Sequence, residues 1–316
     1  MADKKIIVVF GATGAQGGGL VRAILNDKES EFAVRAVTRE PNSDKAKALA
    51  SMGAEIITAD IDDVDSIKRA LQGAYGAYVV TFFWSHFSPE REMAEVANMA
   101  EAAKATGLKH AIWSTLEDVR KTVPLTDSSI PTIGDKWKVP HFDGKGASDR
   151  YFEDAGVPVT YLLASYYWDN LIYFGMGPKR GPDGKLAITF PMGKKKMAGI
   201  GAEDIGKCAY GIFKKGTSMV GKRVGIAGDQ LTLSEMATAM GKALGEEVGY
   251  NEITPDIYRS FGFPGADDLA NMFQFYRDYD ELCNNTRDVK FSRELNPELQ
   301  SFEMWLGDNA KRIPLQ

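Results

Sequence analysis

Three glycines spaced by three, Gly11, Gly14 and Gly17, follow directly on the apolar run Ile6–Phe10. A stiff strand that runs into a turn without side chains gives an anion access to the backbone. The first glycine allows the tight turn. The second lets main-chain N–H groups approach a pyrophosphate, and the third lets the next helix pack against the strand. The amino end of that helix adds partial positive charge. Thr13, Ala15 and Gln16, in the same turn and first helical residues, complete the cradle. No Gly-Lys-Ser/Thr follows, which excludes a Walker-type phosphate loop. The spacing predicts a dinucleotide as ligand.

The second strand ends in Thr38-Arg39-Glu40. Thr38 and Arg39 stand where an NAD enzyme carries an acidic residue for the ribose 2′-hydroxyl. The planar fork of a guanidinium suits a 2′-phosphate instead. Ser43 offers a further donor, and Glu40 must point away from Arg39. The expected cofactor is therefore NADP(H); a plain surface arginine is the alternative. At the end of the third strand Asp60 is set to accept from the adenine amino group, with Ile61 packing on the ring, or else to cap the next helix. After the fourth strand Thr81, Phe82, Phe83 and Trp84 line the middle of the cofactor, although Phe83 and Trp84 suit the core equally well.

The elements that must position these residues are short apolar runs: Lys5–Phe10, Ala33–Thr38, Glu55–Asp60, Ala77–Phe82, His110–Ser114 and Val157–Leu163. They are nearly continuous rather than alternating, as strands buried on both faces are. Helix-length amphipathic stretches separate them: Gly17–Asn26, Ser43–Met52, Val64–Leu71, Pro89–Thr106 and Lys145–Ala155. Asp63 and Ser88-Pro89 read as helix starts, and Gly53, Gly73 and Gly107 as helix ends. The predicted class is α/β, a doubly wound parallel sheet of the Rossmann kind with a smaller mixed C-terminal lobe. Its ligand lies beyond the carboxyl ends of the strands. Residues 1–164 form the nucleotide-binding domain and 165–316 the smaller substrate or partner lobe, with Gly221–Gly228 a candidate strand of the main sheet. Val119–Pro140 reads as a long loop.

The 316 residues, 44% of them hydrophobic, suffice for such a core. A formal charge of −5 gives no overall pull on nucleic acid or anionic membrane. Lys194–Lys196 and Lys214-Lys215 read as solvated loop charges. Cys208 and Cys283 read as free thiols of a reducing, cytoplasmic compartment. The first apolar run behaves as a strand rather than a leader, and Ala74–Trp84 is too short to span a bilayer. His86, His110 and His141 lack metal-ligand spacing, so no metal is expected.

The strings GATGAQG (11–17), VTREP (37–41) and GAEIITADIDD (53–63) resemble the atypical short-chain dehydrogenase/reductase superfamily. HFDGKGASDRYFEDAGVPVTYLLASYYWDNL (141–171) and FGFPGADDLANMFQFY (261–276) resemble its NmrA-like branch, of the NADP-sensing redox-regulator type. The superfamily's catalytic set is a fifth-strand hydroxyl and a Tyr-x-x-x-Lys one helical turn apart. The resemblance assigns the hydroxyl position to Ser114 and Thr115 and the lysine to Lys145, which also binds the nicotinamide ribose. His141 stands where the tyrosine belongs. It is either a replacement acid, a group facing the cofactor pocket without chemistry, or a surface histidine. Ser165, Tyr166 and Tyr167 fall in the segment that covers the nicotinamide in the family. The resemblance thus implies an NADP(H)-binding redox sensor read by a regulatory protein partner. The alternative is an NADPH-dependent reductase of a small, apolar carbonyl, enone or quinone.

Overall fold

The computed structural model describes residues 4–315. The strands are β1 (Lys5–Val9), β2 (Phe32–Val37), β3 (Glu55–Ile57), β4 (Gly76–Val79), β5 (His110–Thr115) and β6 (Val159–Leu163). There follow β7 (Tyr166–Tyr167), β8 (Lys179–Arg180), β9 (Leu186–Phe190), β10 (Lys196–Ile200), β11 (Arg223–Gly225), β12 (Asp229–Thr232) and β13 (Val248–Glu252). The helices are α1 (Ala15–Asn26), α2 (Asp44–Ser51), α3 (Val64–Leu71), α4 (Pro89–Ala105), α5 (Pro140–Ala155) and α6 (Asn170–Tyr173). They continue with α7 (Ala202–Lys215), α8 (Leu233–Leu244), α9 (Pro255–Arg259), α10 (Ala266–Asp278), α11 (Asp280–Thr286), α12 (Val289–Leu295) and α13 (Phe302–Asn309).

The apolar runs of the first half assemble into a seven-stranded sheet in the order β11-β6-β5-β4-β1-β2-β3. Neighbours from β6 to β3 pair in parallel. Strand order reverses between β1 and β4, which puts the ligand crevice of a doubly wound sheet at their carboxyl ends. Val8, Phe10, Val79, Trp113 and Phe152 form one face's core together with Val96 and Met99 of α4. Ser43, Asp63, Ser88 and Thr232 each cap the helix that follows, and Thr232 forms a full capping box with Glu235.

Three boundaries differ from the apolar pattern. β3 stops at Ile57, because Asp60 turns the chain: its N–H donates to Ser66 Oγ at 3.1 Å and its carboxylate accepts from Asp62 N at 3.0 Å. β4 stops at Val79, and Phe83–Ser85 forms a single 3-10 turn. α5 begins at Pro140, five residues before the expected start, since proline suits the first helical turn. His141 and Lys145 therefore share one helix, one turn apart.

The chain forms two compact units. The first holds the described residues through Asp118, His141–Leu163 and Glu203–Val224; the second holds Val119–Pro140, Ala164–Ala202 and the residues from Gly225 on. Within the first, α7 closes on α1 at backbone distance. A methyl group at Gly206 would strike the Leu20 nitrogen, and one at Gly19 would lie 2.5 Å from the Glu203 carbonyl oxygen. Arg22 grips the Glu203 carboxylate with two nitrogens, one at 2.8 Å.

The second unit holds two small sheets (β12-β10-β7 and β13-β9-β8) and aromatic contacts, among them Trp168 with Phe302 and Trp305. Val119–Pro140 is fastened from two sides. The fully buried Lys138 ammonium donates to the Asp127 and Ile130 carbonyls at 2.6 and 2.7 Å. From α10, Asn271 Nδ2 donates to the Pro131 and Lys138 carbonyls at 2.8 and 2.6 Å, and Gln274 Nε2 to Ser129 O at 2.7 Å. Arg259 donates to both amide oxygens, which fixes the orientation of both amides. Asn271→Ala strands two carbonyls and part of a guanidinium, so unfolding should become easier by about 2 kcal/mol. Hydrogen exchange across 119–140 should quicken selectively; an unchanged rate there contradicts the fastening role.

Candidate functional site

Gly11 ends β1 in the left-handed region (φ +62°), where a side chain is strained, and an added Cβ would lie 2.9 Å from Val80 Cγ1. Gly14 N donates to Gly11 O at 2.9 Å and caps α1, whose amino end carries no side-chain cap and no acidic residue in its first turn. At Gly17 a Cβ would collide with the Gly11 carbonyl oxygen and lie 2.7 Å from its carbon. A cradle that any Cβ would fill, at an uncapped helix N-terminus, fits a diphosphate held by main-chain N–H groups. Gly11, Gly14 and Ala15 are exposed, and Thr13 and Gln16 partly so. Gln16 is fixed from the sheet: its amide oxygen accepts from Ser114 Oγ at 2.8 Å and from the Tyr78 hydroxyl.

At the end of β2, Thr38 is buried and its Oγ1 accepts from Glu40 N at 3.1 Å. That turn leaves Arg39 exposed, without a hydrogen bond or ion pair among the described residues, and Glu40 does not neutralise it. The Ser43 hydroxyl donates to Glu40 O at 2.9 Å and accepts from Ala46 N, so its proton already has a partner. Asp60 is exposed in its own turn and the next helix is capped by Asp63 instead. Ile61 is partly buried against the sheet's core.

Beyond β4, Thr81 is buried and Phe82 is 57% exposed, whereas Phe83 is buried. Lys145 Nζ donates to Thr81 Oγ1 at 2.7 Å and to Glu92 Oε1 at 2.8 Å, and lies 5.3 Å from the Trp113 ring centre. Thr81 Oγ1 in turn donates to Glu92 Oε1 at 2.7 Å. One turn further along α5, buried Asp149 accepts from Trp113 Nε1 and Thr115 Oγ1 at 2.9 and 2.7 Å and pairs with Arg223. Burial, the largest influence, still pushes its carboxyl up. These contacts lock α5 onto β5 and so set the height of Lys145.

His141 is buried, its ring centre 4.7 Å from Phe142, 4.8 Å from Trp84 and 5.9 Å from Phe83. The first unit therefore brings together Gln16 with Ser114, Thr81 with Lys145, and His141 with Phe83. Ser165, Tyr166 and Tyr167 lie in the second unit. There Ser165 Oγ donates to the Ile226 carbonyl, and Tyr166 is buried against Phe190 and Phe273. Burial pushes the Tyr166 phenol well up. Tyr167 is partly exposed.

Glu92 and Tyr78 contact the candidate residues Lys145, Thr81 and Gln16, and sequence reasoning missed both. Glu92 had one signal: it stands four residues before Val96 and seven before Met99, on the stripe that α4 buries. Among the described residues no cluster of His, Cys, Asp or Glu could hold a metal ion, and no helix is long and apolar enough to cross a membrane.

The sequence model described as the NmrA-like family matches residues 3–306. The NmrA-like family domain-containing oxidoreductase hkm9 of Aspergillus hancockii is 27% identical over 86% of this chain and 82% of its own. NmrA, a negative transcriptional regulator solved in complex with NADP, superposes with a TM-score of 0.78 at 21% identity, covering 98% of this chain and 96% of that one. The triphenylmethane reductase of Citrobacter sp., solved with NADP(H), gives 0.71 at 18% identity, covering 97% and 99%. The two solved structures share this chain's fold, and the chain belongs to the NmrA-like family.

Proposed function

We propose that the protein binds NADP(H) at the β1–α1 turn and serves as a redox sensor, its conformation read by a regulatory partner. A complete dinucleotide cradle beside a missing phenol carries this reading. The position of the superfamily's tyrosine is occupied by His141, enclosed by aromatic rings. The nicotinamide, when bound, supplies hydride chemistry. This chain's own residues bind the diphosphate through the 11–17 backbone, meet the 2′-phosphate with Arg39 and offer Lys145 to the nicotinamide ribose. Thr38, Ser43, Asp60 and Ile61 border the adenosine, and Thr81, Phe82 and Phe83 the middle. A sensor must bind the two redox forms with different free energies, because equal affinity shifts no population.

Calorimetric titration with NADP and NAD, each in its oxidised and reduced form, tests the reading. Arg39→Ala should weaken both NADP forms about tenfold, the loss of one charge-assisted contact, and leave the NAD forms unchanged. Equal binding of NADP and NAD, insensitive to the substitution, overturns the 2′-phosphate assignment.

The second reading is an NADPH-dependent reductase of a small apolar carbonyl, enone or quinone. Its support is Lys145, whose 12% exposed side chain puts its ammonium on Thr81 just beyond β4, in a chain whose relative bears an oxidoreductase name. Turnover of a carbonyl and quinone panel with NADPH at ordinary enzymatic rates, lost in Lys145→Ala, decides for this reading against the sensor.

A further inference from the structure

Glu92 is fully buried, 17 residues of α4 place it on the inward stripe, and its Oε1 takes both the Lys145 ammonium and the Thr81 hydroxyl. Its other oxygen, Oε2, is buried and makes no hydrogen bond among the described residues. Gly144 leaves it room: a Cβ there would sit 3.3 Å from Oε2. A buried carboxylate is costly unless paired. This one is directed at the one lysine that the proposed function puts beside the nicotinamide.

We propose that Glu92 is the counter-ion that sets how the protein weighs oxidised against reduced dinucleotide, acting through Lys145. This rests on the nucleotide reading above. The oxidised nicotinamide ring carries a positive charge and the reduced ring none. An unpaired ammonium beside the ring therefore penalises the oxidised form alone. With a carboxylate at 2.8 Å the pair is net neutral, and its field at the ring falls to that of a dipole. Thr81 holds the two charges in register by donating to the carboxylate while accepting from the ammonium. Glu92 is a positioning residue, since it reaches the cofactor only through Lys145.

The test uses the full chain and calorimetric titration with NADP+ and NADPH. Glu92→Gln keeps the shape and removes the charge. It should weaken NADP+ relative to NADPH about tenfold, equivalent to about 30 mV in the midpoint potential of the bound two-electron couple. The double variant Glu92→Gln/Lys145→Met removes both charges and should return the ratio to within about threefold of wild type. A purely structural role predicts equal losses for both forms and no restoration.

Lys145→Met is an independent check should Glu92→Gln not fold. The lone buried Glu92 takes up a proton, and binding of NADP+, but not NADPH, should release it. Binding enthalpy for NADP+ alone then depends on the buffer's ionisation enthalpy. An unchanged ratio in folded Glu92→Gln, or enthalpies in Lys145→Met independent of buffer, overturns the proposal and leaves the nucleotide reading standing. A wild type that binds neither form overturns both.

Discussion

Gly17→Ala is expected to abolish measurable NADP(H) binding and to lower the unfolding free energy by about 2 kcal/mol. Two effects oppose each other. Alanine gains about 1 kcal/mol over glycine inside a helix. Against this, the new carbon meets the Gly11 carbonyl group and lies 3.0 Å from Phe10 O, all main-chain atoms that cannot rotate away. Overpacking of that kind costs about 1–3 kcal/mol or somewhat more, so the clash prevails. Relief requires α1 to move off β1, which also shifts the N–H groups of the cradle. Calorimetry with NADPH and denaturant unfolding check the two halves separately. A variant of wild-type stability that still binds NADPH would show that the close packing of α1 on β1 does not shape the cradle.

His110 should make stability fall as the solution is acidified from pH 6.5 to 4. Its Nε2 lies 2.8 Å from Thr160 Oγ1, and that hydroxyl donates its proton to the Met219 carbonyl at 2.8 Å. Nε2 therefore carries the ring proton. Nδ1 is buried without a partner among the described residues, and Phe213 packs at 5.3 Å. Burial lowers the imidazole from 6.5 to about 4. Between those values the unfolded chain holds more protons than the folded one, so the contribution is complete above pH 6.5 and lost on the way down to 4. At 1.36 kcal/mol per unit the loss is about 3 kcal/mol. His110→Gln keeps an N–H for Thr160 and does not titrate. The stability gap between wild type and variant should shift by about that amount from pH 7 to 4; parallel curves would acquit His110.

The sheet and its helix starts were legible because the signals are local and repeated. Continuous apolar runs announce strands buried on both faces, and Asp63 and Ser88 precede their helices directly. Strand ends were less legible. The turn at Asp60 and the 3-10 turn at Phe83 leave the apolar pattern unchanged, and each is decided by one or two hydrogen bonds. The glycine turn at the end of β1 could be read because its residues are contiguous. Glu92 could not be paired from sequence, since its lysine lies 53 residues downstream and only the fold brings them together. The glycine at 19 was hidden inside a run whose outer members explained it, while its close neighbour is Glu203, far along the chain.

The backbone-level closure of α7 on α1 bears on biosynthesis. Arg22 and Glu203 are 181 residues apart, and Gly206 has no substitute that fits against Leu20. A nascent chain emerging from the ribosome must hold its N-terminal helix in waiting through the whole intervening stretch. A recombinant fragment cut after residue 164 would omit this late-arriving helix and bare the glycine-lined groove it fills. A minimal nucleotide-binding protein would need 203–224 spliced back on, and a circular permutant that begins at residue 203 would make α7 before α1.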